Sequence, residues 1–266
     1  MLRNLTDLQG YALRATDGDV GTIKDFYFDD DRWTVRYLVV ETGSWLASRK
    51  VLISPFSIGT PNHDERVLPV SITREQVKNS PDIDTDKPVS RQHEMDYLGY
   101  YGYPAYWDSV GIWGAGTLPG MTLPEAGMAS PMAPSGVGVL EAERTIAAEQ
   151  ALRHRDDDPH LRSCKAVAGY HIKAQDGEIG HLQGFIVDEA SWTIRYFVVD
   201  TSNWWMGHQV LVAPQWIQEV SWPDAVVAVK MTREAIRNAP EWNSALPPDR
   251  AQETDIYRHY DRTGYW

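Results

Sequence analysis

The sequence predicts a mostly β protein made of two small antiparallel domains in tandem, each a barrel or a sandwich, with short helices and aromatic tails. Three observations indicate this: the chain repeats itself, each repeat alternates short apolar runs with turn residues, and the segment between the repeats is rich in Gly, Pro and Met. A chain of 266 residues has room for two such domains, each with its own core.

The repeat is found by shifting the sequence by 159 positions. The segment 33–40 then falls on 192–199, and a third of all aligned positions are identical without a gap. The matching tails end in Tyr106-Trp107 and Tyr265-Trp266. We therefore divide the chain into copy 1 (residues 1–107), a connector (108–159) and copy 2 (160–266).

Within copy 1 the apolar runs predict strands that recur 159 residues later in copy 2. The predicted strands cover residues 11–16, 21–28, 33–41, 49–54 and 67–72. The run 37–40 is apolar on both faces, which predicts a central, covered strand. Thr73 and Gln76 have the spacing of a capping box and predict a short helix that Pro81 ends; copy 2 keeps Thr232 but has Ala235, so its cap is weaker.

The connector predicts flexible chain up to about residue 138, because Gly, Pro and Met leave too few large apolar side chains for a core. Good helix formers over 140–155 predict one short surface helix. The tails, 97–107 and 257–266, are too aromatic for simple disorder. Each either folds back on its barrel or forms a subunit interface.

The residues from Gly18 to Pro55 resemble the PRC-barrel domain. The motif reads Gly-x-x-Gly-x-x-x-Asp-Phe-x-x-Asp, then Trp-x-Val-Arg-Tyr-Leu-Val-Val and Val-Leu-Ile-x-Pro, and copy 2 departs from the first part only at Gly184, where copy 1 has Asp25. The family includes a barrel of the photosynthetic reaction centre H subunit and one of a ribosome-maturation factor, both binding modules. The resemblance, over about 10–81 and 169–240, implies two PRC-type barrels and a binding role.

Charge and cysteine content exclude several classes of protein. Lys and Arg number 25 against 37 Asp and Glu, a net charge of −12 that repels phosphate backbones and anionic lipid. We expect no direct nucleic-acid binding, and without a long apolar stretch we expect no membrane insertion and a cytoplasmic location. The single cysteine, Cys164, excludes an internal disulfide and is expected to be a small buried side chain.

We predict no catalytic, metal or cofactor site. The sequence contains no nucleophile elbow, phosphate-binding loop or His-Glu-x-x-His, and none of its eight histidines recurs at a matching position of the other copy. The acidic run 29–31 suits a turn, where Asp accepts backbone hydrogen bonds.

The aromatic and arginine residues give the candidate site. Structural packing within strands is predicted for Trp33, Trp192, Tyr37 and Tyr196. A structural ion pair or stacked guanidinium is predicted for Arg36 and Arg195. A partner-binding surface is predicted at a hairpin-like loop that would otherwise expose apolar area, with Trp45, Trp204, Trp205 and Met206.

The favoured function is a non-catalytic protein-binding or scaffold module. Its partner would be a protein, and the copies would pair as an intrachain pseudo-dimer or across chains as a homo-oligomer. Acidic charge favours basic partners. Two alternatives stay open: a small-ligand protein that holds a quinone or tetrapyrrole between Trp and Tyr faces, and a ribosome- or RNA-associated factor.

Overall fold

The structure is a computed structural model. It describes residues 1–81, 89, 91–107, 113, 160–201, 208–244 and 246–266. The predicted helix over 140–155 and the predicted flexible stretch before it fall outside these residues, apart from Trp113.

Strands carry most of the regular structure, so the mostly β class is confirmed. Copy 1 contributes β1 Leu2–Asn4, β2 Ala12–Ala15, β3 Gly18–Asp29, β4 Thr34–Thr42, β5 Lys50–Ile53 and β6 Val67–Pro69. Copy 2 contributes β7 Leu161–Ser163, β8 His171–Ala174, β9 Gly177–Asp188, β10 Thr193–Asp200, β11 Gln209–Val212, β12 Ile217–Ser221 and β13 Val226–Val229. The strands predicted from alternation all appear, within a few residues of their predicted bounds.

The described strands join in one mixed sheet that is not closed into a barrel. Its order is β12-β13-β8-β9-β10-β4-β3-β2-β6, with β5 on β4 and β11 on β10. The prediction of purely antiparallel pairing is wrong at one place in each copy, because β6 runs parallel to β2 and β13 parallel to β8. Each parallel pair is joined through several other strands, which gives the chain enough length to return in the same direction.

The first strand of each copy pairs with the long hairpin of the other copy. β1 runs antiparallel to β9, and β7 runs antiparallel to β3. The same ion pair recurs at both crossings, Arg3 to Glu189 at 2.9 Å and Arg162 to Asp30 at 2.8 Å. Neither copy is therefore complete by itself. The two copies form one folded body, and an approximate twofold axis relates them.

The central strands are covered on both faces, as predicted for the run 37–40. Almost every residue of β4 is buried. Leu38 and Val40 face the main core, which is shared by the two copies, while Tyr37 and Val39 face a smaller cluster under the copy 1 tail. Gly21 and its equivalent Gly180 lie where the hairpin strands approach closely, since a Cβ there would come within about 2 Å of a backbone oxygen of Glu41 or Asp200.

Within the described ranges, six short α-helices lie beside the sheet. They are α1 Leu5–Leu8, α2 Arg74–Asn79, α3 Arg91–Tyr101, α4 Cys164–Val167, α5 Arg233–Arg237 and α6 Arg250–His259. The capping box predicted for α2 is confirmed, as is the weaker cap of α5, where the Thr232 hydroxyl accepts from Ala235 N alone. The tails fold back as α3 and α6, each on its own copy, with Tyr97 against Tyr37 and Tyr257 against Trp216.

Candidate functional site

The tips of the two long hairpins meet at the junction of the copies. Trp33 and Trp192 stand one residue before β4 and β10, in the turns rather than inside the strands as predicted, and have positive φ values of 52° and 56°. Val35 N donates to Trp192 O at 2.8 Å, and Ile194 N donates to Trp33 O at 2.7 Å. This reciprocal pair places one arginine site on each side of the junction.

In copy 1 the site is built on a buried ion pair. Arg36 on β4 donates to Asp29 Oδ2 from Nη2 at 2.8 Å and from Nε at 3.2 Å. The other carboxylate oxygen accepts the backbone N–H groups of Asp31 and Arg32 in the hairpin turn. Burial lowers the pKa of Arg36, and Asp29 opposes that effect, so the guanidinium is held charged inside the protein.

Two aromatic rings cover this guanidinium. Its carbon lies 3.8 Å from the centre of the Tyr106 ring and 4.7 Å from that of Trp113. The Trp113 indole donates to Ser191 O at 2.6 Å and meets the Phe56 ring nearly at right angles, 5.0 Å between centres. The connector therefore supplies a side chain that closes the copy 1 site.

A buried glutamate lies behind each arginine. Glu94 accepts hydrogen bonds from the hydroxyls of Tyr37 and Tyr106, and His160 Nε2 lies 2.8 Å from its other oxygen. Burial, together with the Glu94 charge, raises the pKa of Tyr37 well above its usual value. The carboxylate is thus held by the tail, by the sheet and by the first residue of copy 2.

The copy 2 glutamate repeats this arrangement. Glu253 accepts from Tyr196 at 2.8 Å and from Tyr265 at 2.7 Å, and Arg250 lies 3.1 Å from its second oxygen. Burial raises the pKa of Tyr196 and of Tyr265, with Glu253 adding to the effect. Both buried carboxylates are therefore engaged by structural partners.

The copy 2 arginine is held more loosely than its equivalent. Arg195 Nη2 lies 3.5 Å from Asp188 Oδ2, and the guanidinium carbon lies 4.1 Å from the Tyr265 ring centre. The Arg195 side chain is 21% exposed, against 0% for Arg36. Within the part of the chain that the structure describes, Arg195 Nε is buried without a hydrogen-bond partner.

A cavity of about 320 Å³ opens beside Arg195. Its walls are Asp31, Arg32, Trp33, Thr193, Ile194, Arg195, Pro214, Gln215 and Tyr265. Subtracting 159 from Arg195 and Gln215 gives Arg36 and Phe56, and adding 159 to Arg32 gives Ser191. Arg36, Phe56 and Ser191 all contact Trp113, so the cavity is the copy 2 counterpart of the Trp113 site.

Only Trp45 of the predicted partner-binding residues falls within the described ranges. It is half-buried, donates from its indole N–H to Val20 O at 2.7 Å and lies under Arg74, 4.3 Å from the guanidinium carbon to the ring centre. It also borders a second cavity, of about 330 Å³. Trp204, Trp205 and Met206 lie outside the described residues, and partner binding at all four stays a prediction.

Four residues of the site were missed by sequence reasoning. Glu94 and Glu253 were passed over because glutamate is rarely buried, although both recur at the 159-residue spacing together with their tyrosines. Trp113 lies in the connector, outside the two aligned copies. Gln215 carried a signal of another kind, since it replaces the aromatic Phe56 in an otherwise matching segment.

One group of side chains has the composition of a metal site. The ligand atoms of His171, Glu178 and His181 lie within 4.8 Å of one another on the β8–β9 hairpin, with His171 Nδ1 at 2.7 Å from Glu178. Copy 1 has no counterpart, since Ala12, Asp19 and Thr22 stand at these positions.

Cys164 is buried, and burial raises the pKa of its thiol.

Among the described residues, no helix has the length and apolar character needed to cross a membrane.

Comparison with known proteins finds a family match within the first copy. The family model of the PRC-barrel domain matches residues 2–77, which confirms the resemblance there. An uncharacterized protein of Deinococcus radiodurans is 31% identical over 84 residues. That stretch is 31% of this chain and 30% of the relative, so the match spans less than a third of the curated protein.

Proposed function

Because residues 2–77 match the family model of the PRC-barrel domain, we propose that the chain is a non-catalytic, cytoplasmic protein-binding module built from two PRC-like units. The strand order supports the treatment of copy 2 as a second PRC-like unit. Its order β13-β8-β9-β10-β11 follows the same path as β6-β2-β3-β4-β5 in copy 1. The protein partner docks at the junction of the copies.

One observation carries the proposal. The two arginine sites are built from equivalent residues, but the copy 1 site holds Trp113 from outside the sheet, whereas the copy 2 site is an open cavity beside Arg195. A site of this design receives a side chain from another segment. The open one is therefore available to a segment of another protein.

The buried carboxylates support a structural role over a catalytic one. A general acid or base has to reach a substrate proton from a cleft. Glu94 and Glu253 are instead enclosed and accept tyrosine hydroxyls. Together with the net charge of −12, which speeds association with basic surfaces, this favours a module that binds protein.

Affinity capture with a matched pair of variants tests the function. Gln215→Trp places a ring in the cavity wall, and Gln218→Trp makes the same change at an exposed position of β12 nearby. Proteins captured by the wild-type chain and by Gln218→Trp, but reduced at least tenfold with Gln215→Trp, are purified and titrated against all three. A purified partner that binds the three chains equally, or capture of the same proteins by all three, contradicts the proposal.

A small planar ligand is the second candidate, because Trp33 and Tyr265 both line the cavity. Such a ligand, a quinone for example, would co-purify. Mass spectrometry of an organic extract of the purified chain, with Gln215→Trp as the blank, distinguishes it from a protein partner.

A further inference from the structure

The occupied copy 1 site shows what this kind of site accepts. At this site the Trp113 ring lies over the Arg36 guanidinium, its edge meets Phe56, and its N–H donates to the backbone oxygen of Ser191. These contacts use the face, the edge and the single polar atom of an indole. A phenyl ring would leave the carbonyl without its donor, and an aliphatic chain would lose the stacking on the cation.

The copy 2 cavity keeps two of these three contacts. Arg195 supplies the cation, and Arg32, which lies 159 positions before Ser191, contributes to the cavity wall, so its backbone oxygen is the counterpart of the Ser191 acceptor. That carbonyl already accepts from the Thr34 hydroxyl at 3.1 Å, but a carbonyl oxygen has two lone pairs and can take a second donor. The third contact is changed, since Gln215 replaces Phe56.

The charges around the cavity favour a neutral occupant. Arg195 is paired with Asp188, and Asp31 and Arg32 both contribute to the wall, so positive and negative side chains are balanced. An anionic ligand would meet these carboxylates. A neutral ring with one donor meets a guanidinium face and a carbonyl oxygen instead.

The hydroxyl of Thr193 differs from its equivalent in copy 1. Thr193 is 7% exposed and lines the cavity, and its Oγ1 is buried without a hydrogen-bond partner among the residues that the structure describes. The equivalent Thr34 hydroxyl donates to Arg32 O. Because the Thr193 hydroxyl is buried beneath the cavity wall, an occupant of the cavity meets Arg195 and Arg32 and not this oxygen.

We infer that the cavity beside Arg195 receives a tryptophan side chain of a partner protein, seated as Trp113 is seated in copy 1. The inference rests on the proposed function and names the chemistry of its docking site. The size agrees, because about 320 Å³ accommodates an indole with part of the backbone that carries it.

The test is ligand-observed NMR of the purified full chain with N-acetyl-tryptophanamide as the probe. Wild-type chain and the Gln218→Trp control should show saturation transfer and the same dissociation constant, and Gln215→Trp should lose binding. Gln215→Phe restores the ring that copy 1 has, so it should bind about threefold more tightly. Arg195→Met removes the cation but keeps the stem and should bind about threefold more weakly.

A second probe tests the hydrogen bond. The 1-methylindole analogue of N-acetyl-tryptophanamide cannot donate to Arg32 O and should bind at least fivefold more weakly, by the loss of one hydrogen bond. Gln215 is exposed, and its Nε2 donates to the Tyr257 hydroxyl. Gln215→Phe and Gln215→Trp both lose that hydrogen bond, so any effect of its loss is common to the two, and both should keep the wild-type circular dichroism spectrum. The comparison between Gln215→Phe and Gln215→Trp then reports on the cavity and not on folding.

Four outcomes overturn the inference. The first three are no binding of N-acetyl-tryptophanamide, equal binding of the amide to wild-type chain and to Gln215→Trp, and binding of free indole but not of the amide. The fourth is self-association of the wild-type chain, seen by light scattering, that Gln215→Trp abolishes. That result would make a second copy of the chain the occupant. Failure of the proposed function reads differently. If Gln215→Trp loses a captured partner that N-acetyl-tryptophanamide does not displace, the proposed function is supported and the tryptophan inference is contradicted. If the amide binds but no partner is captured, the tryptophan inference is supported and the proposed function is contradicted.

Discussion

Arg36 and Arg195 hold equivalent places in two copies of one unit, yet the first is fully enclosed and the second is partly open. Arg36 makes two short contacts with Asp29 under two rings, while Arg195 makes one long contact with Asp188 under one ring. The residues that hold the arginine are the same in both copies. Two differences separate the sites: Trp113, which belongs to neither copy, covers Arg36, and Gln215 stands in copy 2 where copy 1 has Phe56. A side chain from outside the repeat thus contributes to whether this site is core or surface.

The largest expected effect is the loss of a carboxylate from the closed site. Asp29→Asn leaves the Arg36 charge buried without its counterion and should lower the free energy of unfolding by about 4 kcal/mol. The matched change Asp188→Asn affects a partly exposed pair and should cost less than about 1 kcal/mol. Urea unfolding of both variants measures the difference. Equal losses would mean that the two sites are enclosed alike.

Removal of the covering ring should make copy 1 resemble copy 2. Trp113→Ala deletes a buried indole and should lower the free energy of unfolding by about 3 kcal/mol. The same urea series checks the value. A loss below about 1 kcal/mol would show that the ring does not close the site, and the comparison between the copies would then lose its basis.

Alkaline pH should affect the two copies alike. Burial raises the pKa of Tyr37 and of Tyr196 above the ordinary value of 10.0. Both hydroxyls stay protonated in the folded chain while the unfolded chain ionises, so the free energy of unfolding should fall as the pH rises above about 10, until the raised pKa is passed. Each tyrosine contributes up to about 1.4 kcal/mol per pH unit.

The pH prediction is checked by urea unfolding between pH 8 and pH 11. Tyr37→Phe and Tyr196→Phe should each make the decline of the free energy of unfolding with pH shallower. Each slope should change by up to the equivalent of one proton, and the two changes should be similar. A variant with the wild-type slope would show that its hydroxyl is not protected from solvent.

The smallest expected effect concerns a helix cap that differs between the copies. Gln76 Oε1 accepts from Thr73 N at 2.8 Å, and copy 2 has Ala235 at this position. Gln76→Ala should therefore cost about 0.5 kcal/mol and give α2 the cap that α5 has. Gln76→Glu keeps the acceptor and serves as the control in the urea series. A loss as large as that of Asp29→Asn would contradict the assignment of Gln76 to capping alone.

Local features of the fold were predictable from the sequence. The strand runs, the doubly covered strand at 37–40 and both caps follow from side-chain periodicity and from hydrogen bonds between residues a few positions apart. The exchange of β1 and β7 was not predictable in this way. Three-residue strands show no useful periodicity, and their partners lie in the other copy.

The candidate site was predictable only in part. The repeat marked Arg36, Arg195, Tyr37 and Tyr196, because identical residues at one spacing indicate a shared requirement. It did not reveal that Trp113 would reach Arg36, since the connector lies outside the aligned copies. The cavity is formed where the turn at 31–33, the start of β10 and the segment at 214–215 come together, beside the copy 2 tail. No single stretch of sequence predicts that they do.

The exchange of β1 and β7 bears on how such a chain arises. A gene that encoded one copy would yield a polypeptide lacking a strand that only a second molecule supplies, so its assembly would depend on concentration. Joining the copies makes that association intramolecular. It also frees them from symmetry: in a homodimer, a change from Phe to Gln would alter both sites at once, whereas duplication within one gene lets position 215 diverge while position 56 stays aromatic.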